Sequence, residues 1–182
     1  MPDHDDIERE FEVEMPEPET LDGHLDEVLP MLRGIGEDLS EDKHQGIRWL
    51  EVREELNFHE AVLHIFQDGG EYLKSTDGNI STGIWSTLDH KNTMILDIGM
   101  QHELFDLQYL DLDFMILKKH GNQARRGKRK YVLLVRESVA RNLEWREIVE
   151  LLHSKYDATN NTLYYVLVVL VILIVLASTY YR

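Results

Sequence analysis

No cysteine occurs among the 182 residues. Disulfides, thiolate catalysis and cysteine-held zinc or iron–sulfur sites are therefore excluded. Proline is scarce as well, four residues in all, and Pro16, Pro18 and Pro30 stand among dense carboxylates near the N-terminus. Positive charge is nearly missing from the same stretch. Residues 1–42 hold sixteen acidic residues against Arg9 and Arg33, and so carry 14 of the chain's 15 net negative charges. The rest is a nearly neutral body behind an acidic tail. The opening residues have neither the basic start nor the apolar core of a secretory signal, so export by that route is not expected. Gly34-Ile35-Gly36 lacks the remainder of a phosphate-loop fingerprint, and no His-Glu-x-x-His occurs.

What is present begins at the other end. Leu163–Tyr181, "LYYVLVVLVILIVLASTYY", contains no charge. As a helix it would reach roughly 28 Å, close to the hydrocarbon thickness of a bilayer. Tyr164 and Tyr165 at one end, with Tyr180 and Tyr181 at the other, suit the two membrane interfaces. Arg141, Arg146 and Lys155 precede the run and only Arg182 follows it. The expected topology is a single-pass tail anchor, with the N-terminal body in the cytoplasm and the C-terminus across the membrane. Asn79-Ile80-Ser81 and Asn160-Asn161-Thr162 match the glycosylation pattern and would then be silent.

Between the two ends the periodicity changes twice. Residues 1–42 read as an acidic, largely disordered tail. Within it Leu21, Leu25, Val28 and Leu32 recur at helical spacing, interrupted by Pro30. That pattern suits either a transient helix in a solvated tail or a short helix docking into a partner's groove. Residues 43–137 alternate with a period of two, as at Val62/His64/Phe66, Met94/Leu96/Ile98, Phe105/Leu107/Tyr109, Leu112/Phe114/Ile116 and Tyr131/Leu133/Val135. Such alternation predicts strands with one dry face and one wetter face. Asp68-Gly69-Gly70, Asp77-Gly78, Asp89-His90-Lys91-Asn92 and Gly99 provide the turns, and links this short require antiparallel pairing. The fold class is mainly β: an antiparallel meander that curls into a small barrel and so removes its edges. Residues 138–156 follow as an amphipathic helix, with Asn142 as N-cap and Trp145, Ile148, Val149 and Leu152 as its stripe. The stripe would pack on the sheet or lie in the membrane interface. Residues 157–162 form a hinge, and 163–181 the transmembrane helix.

Several of these residues carry a resemblance. Gly46-Ile47-Arg48-Trp49, Phe66-Gln67-Asp68-Gly69 and Gly83-Ile84-Trp85 precede "TMILDI", "HELFDLQYL" and "LDFMILKK". In this order, residues 46–136 resemble the small lipocalin-like domains found in bacterial proteins. The resemblance covers about half the chain and implies a barrel whose base Trp85 closes. The first Gly/Trp pair departs from the pattern, with two residues between Gly46 and Trp49, so residues 41–56 could be helical instead. Lipocalins proper bind apolar ligands in the lumen. About ninety residues make a small barrel, however, and Phe66, Trp85, Phe105, Tyr109, Phe114 and Tyr131 are bulky enough to fill it. Gly83 is read as room for close backbone approach.

The search for chemistry leaves few candidates. His59 and His64 would point to opposite strand faces. Asp111 and Asp113 share a face that is better explained as solvated than as a cation site. Glu144 and Glu147 lack a matching histidine, and nothing beside Ser138 suggests a base. No catalytic residue, metal or cofactor is implied. The strongest signal is electrostatic: "KKHGNQARRGKRK" carries Lys118, Lys119, Arg125, Arg126, Lys128, Arg129 and Lys130 without an acid. At a hairpin tip these charges could simply be solvated. They could also meet anionic lipid, an acidic face of a membrane partner, or the chain's own acidic tail. Nucleic acid fits poorly, because no aromatic residues interleave with the patch and the overall charge is negative. The sequence therefore suggests a non-enzymatic accessory subunit that contacts membrane lipids and other membrane-protein subunits. The alternative is a membrane-tethered, lipocalin-like binder of a small apolar ligand.

Overall fold

A computed structural model describes residues 20–54, 61–88, 92–120, 129–155, 170 and 172–173. Eight strands follow one another around a closed barrel: β1 (Trp49–Val52), β2 (Val62–Phe66), β3 (Glu71–Thr76), β4 (Asn79–Thr87), β5 (Thr93–Ile98), β6 (Gln101–Leu110), β7 (Phe114–Lys119) and β8 (Tyr131–Arg136). Each pairs antiparallel with its sequence neighbours, and β8 closes on β1 through Trp49 opposite Arg136 and Val52 opposite Leu133. This up-and-down order is consistent with a lipocalin-like barrel. Residues 49–52 are strand, not helix.

Two glycines do work that other residues could not. Asp77 and Gly78 both have positive φ, 49° and 83°, the two left-handed positions of the tight β3–β4 hairpin. Gly83 lies in β4, where a Cβ would collide with the backbone carbonyl oxygen of Asp97 on β5. The close approach expected at Gly83 is therefore present. Gly83→Ala must push β4 and β5 apart. It should lower stability by about 1–3 kcal/mol, read as the shift in a urea midpoint.

Alternation along the strands creates two cores. Inward-facing Trp49, Phe66, Tyr72, Trp85, Met94, Leu96, Phe105, Met115, Leu117 and Leu134 fill the lumen. Outward-facing Val52, Phe114, Ile116, Tyr131, Leu133 and Val135 form a second apolar surface on β1, β7 and β8. The strands there are buried on both faces, so the expectation of one wet face fails for β7 and β8. A bulge in β6 between Leu107 and Tyr109 shifts the register. It turns Tyr109 outward into the second core and Leu110 back into the lumen.

Helices cover this second surface. α1 (Leu21–Val28) buries Leu21, Leu25 and Val28, and Leu32 follows in the turn after it. Thr20 caps α1 by accepting the Gly23 N–H. The helix ends before Pro30, which therefore interrupts nothing. The leucine stripe assigned above to a solvated tail or a partner's groove is thus a layer of the chain's own fold. α2 (Glu137–Ala140) is one turn, ended where Asn142 takes φ 70°. A third helix, α3, spans residues 145–155 and buries Ile148, Val149 and Leu152 against the same surface. Asn142 is not its cap. Instead the Glu147 carboxylate accepts the Glu144 N–H at 2.7 Å, half of a capping box.

The predicted span, 163–181, lies outside the described residues except for Leu170, Ile172 and Leu173. These three are helical, and each is more than half exposed. Among the described residues no helix is long and apolar enough to cross a membrane.

Candidate functional site

Antiparallel order gives the barrel two distinct ends. The β1–β2, β3–β4, β5–β6 and β7–β8 connections crowd one rim, called the upper here. The β2–β3, β4–β5 and β6–β7 connections and both helical layers' links to the barrel lie at the lower rim.

At the lower rim, residues 37–46 cross the open end. Leu39 reaches into the lumen core, and the Glu37 and Gly46 N–H groups donate to Leu110 and Phe66 carbonyls at 2.8 and 2.7 Å. Asn92 ties the crossing to the β4–β5 connection, accepting from Leu39 N–H and donating to Asp38. Trp49 donates its indole N–H to the His44 carbonyl at 3.0 Å, and Trp85 donates to that of Gln67 at 2.8 Å. His44 sits edge-on against Phe66 and Trp85. Its side chain is fully buried and neither ring nitrogen has a hydrogen-bond partner among the described residues. Burial pushes its pKa down, against a weaker opposing pull from Asp42, so the ring is held neutral. Trp85 thus lies in the lumen near the base, beside the larger contribution of Trp49, which is fully buried.

Toward the upper rim, the lumen turns polar. Glu51 accepts from Arg53 at 2.8 and 3.1 Å and lies 3.1 Å from His64 Nε2. His64 Nδ1 in turn lies 2.6 Å from the Tyr72 hydroxyl, and Arg129 approaches Glu51 at 3.5 Å. Burial pushes Glu51 up, but hydrogen bonds and charge from His64 and Arg53 outweigh it and hold the carboxyl at about 2. Burial and the Glu51 charge push the Tyr72 phenol well above its usual range. The Glu51–His64–Tyr72 chain has the residue types of a proton relay. Its members are satisfied by one another, as buried polar groups in a stable interior must be. Sequence reading missed it, although His64 between inward Val62 and Phe66, and Glu51 two residues after Trp49, mark polar groups on a dry face.

The basic stretch joins β7 to β8 at the same upper rim. Arg125, Arg126 and Lys128 lie outside the described residues. Lys118 and Lys119 end β7, with Lys118 opposite Tyr131 on β8. Lys130 bonds Asp26 of α1, and the Lys130 and Tyr131 N–H groups donate to Asp22 at 2.7 and 3.2 Å. The Tyr131 hydroxyl also donates to Asp26 at 2.6 Å. Hydrogen bonding to Asp26 raises the Lys130 pKa. Arg129 and Lys130 are therefore engaged within the chain, Lys130 by the acidic segment itself.

Asp111 and Asp113 are likewise not a bare outer face. They sit in the β6–β7 turn, where Lys155 of α3 donates to both at 2.8 and 2.7 Å. Asp111 also accepts the Asp113 and Phe114 N–H groups and the Tyr109 hydroxyl. Burial raises the Asp111 pKa, but the Lys155 and backbone bonds win and lower it. Lys155 also lies over the Phe114 ring. This clamp ties α3 to the β6–β7 turn at the lower rim.

Among the described residues no group of three or more histidine, aspartate or glutamate side chains could hold a metal ion. Tyr164, Tyr165, Tyr180 and Tyr181 lie outside the described residues. Comparison with models of protein families, with curated proteins and with solved structures finds no match.

Proposed function

We propose that this chain is a non-enzymatic interaction subunit of a membrane complex, anchored through residues 163–181. Its lipocalin-like barrel serves as a rigid scaffold and not as a ligand carrier. The observation that carries this reading is the clamp of Lys155 by Asp111 and Asp113. It fastens the barrel to α3 eight residues before the apolar run begins. A helix clamped in this way sets the end of the barrel from which the chain continues toward the proposed anchor. The exposed, helical Leu170, Ile172 and Leu173 agree with an apolar segment not spent on the barrel's own core. Trp49, Phe66, Tyr72, Trp85, Phe105 and Met115 packed together in the lumen support a scaffold over a carrier of a small apolar ligand.

Position also separates the readings of the basic loop. The clamp is at the lower rim and the loop at the upper. β8, six residues long, separates them by up to about 20 Å of strand. That is roughly two Debye lengths at physiological salt. If the span leaves from the clamped end, lipid headgroups are too far away for the loop to feel. An acidic face on a neighbouring subunit is then the partner that fits Arg125, Arg126 and Lys128.

Purification of the full chain from mild detergent tests this directly. Stoichiometric membrane subunits should accompany it, and replacing Arg125, Arg126 and Lys128 with Gln should weaken their association roughly tenfold and flatten its salt dependence. Lys130 is left in place because it holds α1. A clean monomer, or retention unchanged by the triple substitution at low salt, overturns the reading.

A further inference from the structure

Toward its upper mouth the lumen is not only polar but cationic. Directly paired antiparallel residues share a face of the sheet. Lys74 on β3 pairs with inward His64, and Lys119 on β7 with inward Phe105, so both lysines stand on the lumen side. Each also follows an inward residue by two positions, Tyr72 and Leu117. Arg53 stands two residues beyond Glu51 and bonds it, and Arg129 reaches the same carboxylate. Against these four cations the described inward acids are Glu51 and Glu103, the latter opposite inward Leu96. Glu51 is spent on Arg53, Arg129 and His64. Lys74 and Lys119 are half-buried, and neither has an ion-pair or hydrogen-bond partner among the described residues. Like charges held around one mouth repel, and an anion entering from above relieves them.

We propose that the chain's own residues 1–19 occupy this mouth, their carboxylates seated against Lys74 and Lys119. Three observations select that occupant. The first is charge. Residues 1–19 carry nine acidic residues against Arg9 alone. Glu8, Glu10, Glu12 and Glu14 recur at every second position, a spacing that sets four carboxylates on one side of an extended chain. The second is the point of departure. Residue 19 joins α1 at the upper rim, where the Leu21 N–H donates to Glu54 Oε2 at 2.6 Å, just beyond the end of β1. Glu14, six residues before Thr20, can stand about 20 Å from it. A ring of eight tilted strands is only roughly 15 Å across. The third is continuity. Asp22 and Asp26 already bond Lys130 at the start of β8, so residues 1–19 prolong an acid-to-base contact that α1 begins. A tether this short gives the segment a high effective concentration, and modest ion pairs then suffice within one chain. An acidic face on a neighbouring subunit would have to displace the segment from the upper rim. That competition rests on the subunit reading above, whereas the contact itself does not.

Carbodiimide coupling of the full natural chain, purified in mild detergent, tests the contact, because it joins a carboxylate to a lysine amine only where the two touch. Peptide mapping should find residues 3–19 joined to Lys74 and Lys119 in a species of the single-chain mass, 21.4 kDa. Lys43 and Lys155 are the lower-rim controls, held by Glu37 and by Asp111 and Asp113, and should give no product with residues 3–19. The yield should fall roughly tenfold at about 1 M salt, where the Debye length is about 3 Å. Replacing Lys74 and Lys119 together with Gln should release the segment in the full chain. Cleavage between residues 8 and 14 by a glutamate-specific protease should then speed up roughly tenfold, because proteolysis follows the released population. The melting temperature should stay unchanged, since ion pairs at a solvated rim add little to folding. The inference is overturned by absence of the two cross-links, by their appearance only in a species of twice the mass, by equal coupling to the lower-rim lysines, or by cleavage that the double substitution does not alter. None of these readouts involves a partner or a bilayer, so they fail or succeed separately from the subunit reading.

Discussion

Truncated to residues 43–182, the chain loses its cooperative unfolding transition. Leu21, Leu25, Val28, Leu32 and Leu39 are each no more than 4 % exposed. At about 1.5–3 kcal/mol for each buried side chain, the five together approach the whole stability of an ordinary domain, about 5–15 kcal/mol. Their removal would also uncover Phe114, Ile116, Tyr131, Leu133 and Val135 on the outside of β7 and β8. Leu39 adds a second loss, because the crossing that closes the lower rim goes with it. Asp22 adds a third, since the Lys130 and Tyr131 N–H groups lose their acceptor. A chain beginning at Thr20 keeps every contact described above and is the control. Leu25→Ala in the full chain should be milder, about 2–5 kcal/mol, and leave a single transition at lower temperature. Thermal melts followed by circular dichroism read all three. A 43–182 fragment that melts like the control would mean that the barrel folds without its helical layer.

That expectation runs against the plainest reading of the sequence, and the reason is physical. Composition averages over a segment, whereas packing depends on one face. Sixteen acids hide a four-residue leucine stripe whose carboxylates Asp22 and Asp26 find basic or N–H partners more than a hundred residues later. Such pairings leave no trace in local pattern. Strands were far more legible. Val62–Phe66, Thr93–Ile98 and Tyr131–Arg136 announce themselves by alternation, and Asp77-Gly78 by turn chemistry. The same alternation could not tell which face of β7 meets the lumen, because Phe114/Ile116 and Met115/Leu117 are both buried. Nor could it anticipate the β6 bulge, which reverses the side on which Tyr109 stands. The polar lumen was readable in principle. A histidine and a glutamate at inward positions are costly unless paired, so each signals a partner. Their meeting required knowing that β1 and β2 are neighbours, which local spacing does not state.

Replacing Glu51 tests that lumen most sharply. The carboxylate accepts from Arg53 and lies against His64, and its side chain is only 11 % exposed. Removing one member of a buried ion pair leaves the others desolvated and unmatched, which costs about 3–5 kcal/mol. Glu51→Leu should fall in that range at pH 7. Glu51→Gln, which keeps an acceptor oxygen but not the charge, should lose somewhat less. The two can be separated from a generic packing defect by pH. The folded carboxyl titrates at about 2, below its ordinary 4.5. A lowered folded-state value means the stabilisation is complete above about pH 4.5 and drains away as pH falls toward 2. The shift corresponds to roughly 3 kcal/mol by the usual conversion. The gap between the natural chain and Glu51→Gln should therefore be widest near pH 6 and narrow steadily below pH 4.5. Asp26, Asp106 and Asp111 also have lowered values. They weaken both chains alike as pH falls, so the difference between the two isolates Glu51. Urea unfolding at a series of pH values measures it, and parallel curves would show that Glu51 contributes shape to the lumen but no charge.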